Sequence, residues 1–339
     1  MATHNIFFGT YSKGPGKGLF RGLFDGDSGE IRLTGTLDIE NPSYMQLNGN
    51  VLYGVSEINE FNNENGGALF AVDISSELRL LGIQATHGKS PCHLCVKDNF
   101  IFVSNYSEGS LSIFEIETSC SIQPSTQSLH HFGMSVRPDR QKASHVHFAS
   151  MTPDGKYLAL CDLGMDMVFL YPYAAGNGLS TKAIIINCPA GSGPRHLAFS
   201  NYGNYLYVLT ELGNTILSYD YKDGEAGFLQ EITTLPPGFA GNTTSAAIHI
   251  SPDGTYVASS NRGHDSIAVF KIADDGRLKF TTHVMTGKTP RDFNFSPCGK
   301  WLLSANQNDD SVTVFSINSG DFKQTGTFQI PKPVCVLFG

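Results

Sequence analysis

The chain has 339 residues, 40% of them hydrophobic and only 16% charged, with a formal net charge of −8. A charged share below the ~25% usual for globular proteins, with 36 glycines and 11% aromatics, suits many short strands joined by tight turns. The acidic balance, with no basic run or stripe, argues against nucleic acid as a partner. No stretch approaches the ~18 apolar residues of a membrane helix.

In chain order, NIFFGTYS, GLFRGLFD and EIRLTGTLD read as strands, and no charged n-region with an apolar core precedes them, so no signal peptide is expected. The same pattern then returns again and again: apolar strand, turn, apolar strand, polar cluster. Its copies are NPSYMQLNGNVLYGVSE, SPCHLCVKDNFIFVSNY, HVHFASMTPDGKYLALCDL, PRHLAFSNYGNYLYVLTEL, AAIHISPDGTYVASSNRG and PRDFNFSPCGKWLLSANQ. The chain closes on PKPVCVLFG. First strands begin at Pro42, Pro91, Val146, Pro194, Ser245, Pro290 and Pro333, at intervals of 43 to 55 residues. Such a period, with several short strands per unit, predicts β-propeller blades. The expected fold is all-β: a seven-bladed β-propeller of four-stranded antiparallel blades, one domain over residues 1–339. Its last blade is expected to join the C-terminal strand to the N-terminal ones, which removes exposed sheet edges. The 55-residue interval contains an insertion, read as a loop over 121–145, whose His130, His131, Arg137 and Arg140 reach substrate if it folds over the site.

The copies differ where charge is concentrated. First-strand starts carry His93, His145, His147, Arg195, His196, His249, Arg291 and Asp292; second-strand ends and the loops after them carry Glu57, Asp162, Asp166, Glu211, Arg262, His264 and Asp265. In an antiparallel hairpin these two places lie side by side, and they are expected at one mouth of the central channel. The opposite hairpin ends hold SPDG, TPDG, SNYG and SPCG, ordinary turns. Histidine, arginine and glutamate together suit acid–base chemistry on an anionic, oxygen-rich substrate. Single histidines have a competing role as hydrogen-bonded spacers between blades. Asn105, Asp162, Asn261 and Asn306, with Thr10, Ser56 and Thr210, end the second strands. With one carboxylate among seven they suit backbone capping better than calcium, and no metal or other cofactor is expected. Walker, dinucleotide and GxSxG signatures are absent. The seven cysteines show no framework spacing. Cys92 and Cys95, three apart on a strand, face opposite ways, and reduced thiols point to the cytoplasm.

SPCH with SNYSEGSLSIF, GSGPRHLAFS with YVLTEL, SNRGHDSIAVF, and TPRDFNFSPCGKWLLSANQ resemble the seven-bladed β-propeller lactonase family. The propeller-type 6-phosphogluconolactonases are the nearer likeness and the 3-carboxymuconate lactonizing enzymes the more distant one. The resemblance implies metal-independent lactone chemistry, with His147, Arg195, Glu211 and Arg262 as catalytic residues. His249, His264 and Arg291 become further substrate-binding residues, joining His93, His145 and His196. It implies a small anionic sugar lactone, carrying phosphate or carboxylate, as the partner. Arg262, His264 and Arg291 are expected to hold the phosphate. The chain is expected as a monomer or weak homodimer. Hydrolysis of 6-phosphogluconolactone in the pentose phosphate route is the leading expectation. Turnover of another carboxylated lactone, such as a carboxymuconolactone, is the alternative, and a non-catalytic binding scaffold the third.

Overall fold

Seven antiparallel sheets, each with four main strands, account for the described residues 3–11, 18–118, 120–125, 127–176 and 178–339 of a computed structural model, with no helix among them. Ser12, the last residue of the expected strand NIFFGTYS, lies outside the described residues. In six sheets the chain runs outward in sequence order, as in Pro42–Asn48, Val51–Ser56, Ala68–Asp73 and Arg79–Ala85. The seventh joins the termini: Pro333–Phe338 pairs with Thr3–Thr10, which pairs with Leu19–Asp25 and then Ile31–Leu37.

Burial follows from position in the sheet. Second strands such as Phe100–Asn105 and Trp301–Asn306 are buried along their length, whereas the outer strand Glu225–Thr233 alternates between half-buried and exposed. Each apolar cluster draws on two successive sheets. Ile6, Phe8, Phe24 and Val336 of the terminal sheet pack with Trp301, Leu303 and Val314 of the sheet before it. Trp301 Nε1 also donates to Gly26 O at 2.8 Å. Burying one such side chain contributes roughly 1.5–3 kcal/mol.

By contacts, the described chain divides into two compact units, one of residues 1–38, 198–220 and 227–339, the other of 39–197 and 221–226. The turns between first and second strands are alike in both. Gly155, Gly203, Gly254 and Gly299 all have φ between +69° and +73°, the left-handed region that glycine enters without penalty. In each turn the hydroxyl of Thr152, Ser200, Ser251 or Ser296 accepts from the backbone N–H of Tyr157, Tyr205, Tyr256 or Trp301 at 2.9–3.1 Å. In KDGEAG, Asp223 (φ 48°) and Gly224 (φ 88°) form a two-residue turn between Thr215–Lys222 and Glu225–Thr233.

The insertion is also shorter than expected. Gln127–His130 is the outer strand of its sheet, pairing with Ser110–Glu115, so only residues 131–145 connect that sheet to the next. The polar ends of the second strands bond neighbouring hydroxyls or backbone. Asn105 Nδ2 reaches Ser110 and Ser112 Oγ, Asn306 Nδ2 reaches Ser311 Oγ and Thr313 Oγ1, and Asn261 Nδ2 reaches Thr234 O.

Candidate active site

Register sorts the charged residues at the first-strand starts into two rows. A bulge interrupts pairing just after the first residue: between Pro42 and Tyr44, Pro91 and His93, Val146 and Phe148, and Pro290 and Asp292. The bulged residues are therefore Ser43, Cys92, His147 and Arg291, and the matching place in GSGPRH is Arg195. A bulge re-aims the side chain it carries. The residue two places before each bulged one often has a positive φ: Asn41 (44°), Ser90 (53°), Gly193 (62°) and Thr289 (60°). Thr289 is β-branched, so its left-handed backbone is strained. Its N–H donates to Asp265 Oδ1 at 2.8 Å and its hydroxyl accepts from Asn308 Nδ2 at 2.9 Å, bonds that hold the strand start bearing Arg291.

The next row, Tyr44, His93, Phe148, His196 and Asp292, is packed against neighbouring strands. Ring centroids lie 3.9 Å apart for Tyr44 and His93, 4.1 Å for His93 and Phe148, and 5.0 Å for Phe148 and His196. Ala149 N–H donates to His93 Nδ1 at 3.3 Å, and Val336 N–H donates to Asp292 Oδ2 at 2.9 Å. His93 thus serves as a spacer between strands, with its Nδ1 lone pair used.

Within residues 39–197, His147 is 5% exposed and Arg195 3%. His147 Nδ1 lies 3.7 Å from Cys92 Sγ, and its ring edges onto Tyr106 and His196, both at 5.4 Å. Arg195 Nη1 lies 3.0 Å from His196 Nε2. A guanidinium only donates, so His196 accepts on Nε2 and carries its proton on Nδ1. His145 precedes the strand. Its Nδ1 donates to Tyr106 O at 2.9 Å while its ring stacks on Tyr106 at 4.4 Å.

Within residues 198–220 and 227–339, Glu211 directly follows the strand Tyr205–Thr210 and Arg262 ends the strand Tyr256–Arg262. Arg262 Nη2 lies 3.0 Å from Glu211 Oε2 and donates to Ser245 O at 3.0 Å, and Ser245 N donates back to Glu211 O. The carboxylate is therefore buried, oriented and paired. Arg291 lies over the Tyr11 ring at 5.0 Å.

Two expected residues fall elsewhere in their strands. His249 is not at the strand start but further in, with Nε2 3.2 Å from Asp292 Oδ1. His264 turns toward the outer strand: it bonds Ser266 Oγ at 2.6 Å and packs with Phe239 and His283. Burial first, and the neighbouring His283 second, lower its pKa. Its share of stability is thus present above the ordinary histidine value near 6.5 and lost as pH falls through the lowered one. An NMR titration places its midpoint below that ordinary value; a midpoint above it contradicts this packing.

Sequence reasoning missed Tyr106, Tyr44 and Phe148. Tyr106 was recoverable, since SNYS aligns it with Glu211 and Arg262 as the first residue past the polar end of the second strand. Among the described residues no group of three or more His, Cys, Asp or Glu is arranged to hold a metal ion, and no helix is long and apolar enough to cross a membrane.

A family model described as "Lactonase, 7-bladed beta-propeller" matches residues 5–338. The 6-phosphogluconolactonase of Bacillus subtilis is 34% identical over 357 aligned positions, covering 100% of this chain and 99% of that protein. An uncharacterized Staphylococcus epidermidis protein is 33% identical, over 85% of each. Among solved structures, the periplasmic gluconolactonase of Pseudomonas aeruginosa superposes with a TM-score of 0.93 at 31% identity, covering 99% of both chains. A Lactobacillus plantarum protein gives the same values. The seven sheets are the blades of that fold, and the chain belongs to the seven-bladed β-propeller lactonases.

Proposed function

We propose that this protein hydrolyses 6-phosphogluconolactone to 6-phosphogluconate in the pentose phosphate route, in the cytoplasm. The buried Glu211–Arg262 pair carries the reading: a carboxylate held in one orientation by a guanidinium at 3.0 Å is equipped to act as a base. In this reading Glu211, or His147, takes a proton from water as its oxygen bonds to the lactone carbonyl carbon. Arg195 stabilises the negative charge that develops on the carbonyl oxygen. The ring C–O bond then breaks, and the departing alkoxide takes up the proton held by the base. In this reading Arg262, which bonds Glu211 and Ser245, orients the base, and Arg291, which lies over the Tyr11 ring, is a further substrate-binding residue. His93 and His196 support the strands rather than the reaction.

The likeness to a gluconolactonase favours one second reading, an unphosphorylated sugar lactone as substrate. Lactone loss followed by NMR decides the activity. The purified protein is expected to open 6-phosphogluconolactone far faster than its spontaneous hydrolysis. A rate equal to the uncatalysed one sinks the proposal.

A further inference from the structure

The connection over residues 131–145 is fastened as firmly as a strand. His131 is buried between Asp162 Oδ2 (2.7 Å from Nδ1) and the Tyr171 hydroxyl (3.0 Å from Nε2), and its carbonyl accepts from Ser144 Oγ at 2.8 Å. Further along, fully buried Gln141 donates from Nε2 to Leu163 O and Asp166 Oδ1, both at 2.8 Å. The same Asp166 carboxylate accepts from Ser135 Oγ and from the backbone N–H of Gly191 and Gly193 at 2.6 Å. One buried carboxylate therefore joins this segment to the loop that leads into Arg195.

These fastenings fix Arg140. Its Nη2 donates to the Tyr106 hydroxyl at 3.3 Å, and the Tyr106 ring stacks on His145 and edges onto His147. Arg140, Tyr106 and His145 are half-buried, whereas His147 and Arg195 are buried, so the first three are the part of this cluster that a ligand reaches from solvent. Arg137 is exposed and pairs with Asp139. His145 donates from Nδ1 to a carbonyl, so in the neutral ring its second nitrogen is an acceptor.

We propose that residues 131–145 form a fixed wall of the substrate site and that Arg140, seated on Tyr106, binds the phosphate of a phosphorylated sugar lactone. The proposal rests on the lactonase reading above and deepens it by naming what selects a phosphorylated substrate. A guanidinium offers the planar fork of donors that phosphate oxygens accept, and such charge-assisted bonds are about twice as strong as neutral ones.

The test compares kcat/KM for 6-phosphogluconolactone and for gluconolactone in the full chain. In Arg140→Ala the ratio of the two is expected to fall roughly tenfold, through KM of the phosphorylated substrate. Arg140→Lys retains part of the preference, and Tyr106→Phe, which removes only the hydroxyl, lowers it by a smaller factor. Calorimetric binding of 6-phosphogluconate supplies a readout without turnover, with a roughly tenfold weaker Kd expected for Arg140→Ala. An unchanged ratio, equal losses on both lactones, or equal Kd values overturn the proposal. Failure of the wild-type protein to open either lactone overturns only the lactonase reading, since the binding comparison still judges Arg140.

Discussion

Arg195→Ala is expected to lower kcat for lactone opening by roughly 10²–10³, the usual loss when one donor to a developing oxyanion is removed. The side chain is 3% exposed, stands at the place that matches the bulged residue of other copies, and has Nη1 3.0 Å from His196 Nε2. Arg195→Lys restores the charge but not the planar fork, and an intermediate kcat is expected. Alanine leaves the buried His196 Nε2 without its donor, at about 1–3 kcal/mol, so a lowered Tm is expected beside the kcat loss, and rates are compared at a temperature where the variant is folded. A kcat close to that of wild type in a folded Arg195→Ala variant removes this residue from the chemistry.

Asp162→Ala is expected to be the most damaging single change to the fold. The carboxylate is fully buried. Its Oδ1 accepts from the backbone N–H groups of His145, Gly164 and Met165 at 2.8–3.2 Å, and its Oδ2 meets His131 Nδ1 at 2.7 Å. Alanine leaves those donors buried and unsatisfied, at about 1–3 kcal/mol each where water cannot enter. A loss of about 3–5 kcal/mol, and a Tm lowered by roughly 5–10 °C, are expected. Asp162→Asn is milder. Its amide oxygen still accepts the three backbone bonds, and its NH₂ can donate to His131 if the imidazole moves its proton to Nε2. The Tyr171 hydroxyl, whose pKa burial and then the Asp162 charge push up to about 12, would then accept rather than donate. Melting curves of the two variants decide this; equal Tm values for alanine and wild type contradict it.

The seven repeats, their intervals and the closing of the last sheet by both termini were legible because strand starts recur with proline and turn glycines at matching places. Those features are local, and local chemistry shows in sequence. Register is not local. His147 and His93 look equivalent as histidines at strand starts, yet a one-residue bulge puts the first in the re-aimed row and makes the second a spacer. His249 and His264 were misplaced for a related reason: a position near a strand start or end does not tell which way a side chain turns. The 131–145 segment was the hardest to read. Its fastening depends on Asp162, which sequence read as a strand-end cap without its bond to His131, and on Asp166, which sequence presented only as a member of a charged cluster. Backbone bonding by Asn261 followed from residue type, whereas Asn105 and Asn306 bond the hydroxyls of Ser110, Ser112, Ser311 and Thr313 instead.

Function is held to lie where the repeat departs from itself, and Glu211, like Glu57, puts an acidic residue in the place that Tyr106 and Arg262 occupy in other copies, with Arg262 paired to it. The most direct test measures initial rates of 6-phosphogluconolactone opening for wild type and Glu211→Gln, with Tm recorded for both. A rapid wild-type rate and a loss of at least roughly 10² in kcat for a folded Glu211→Gln are predicted. Equal rates for the two proteins would contradict the assignment of the chemistry to this residue.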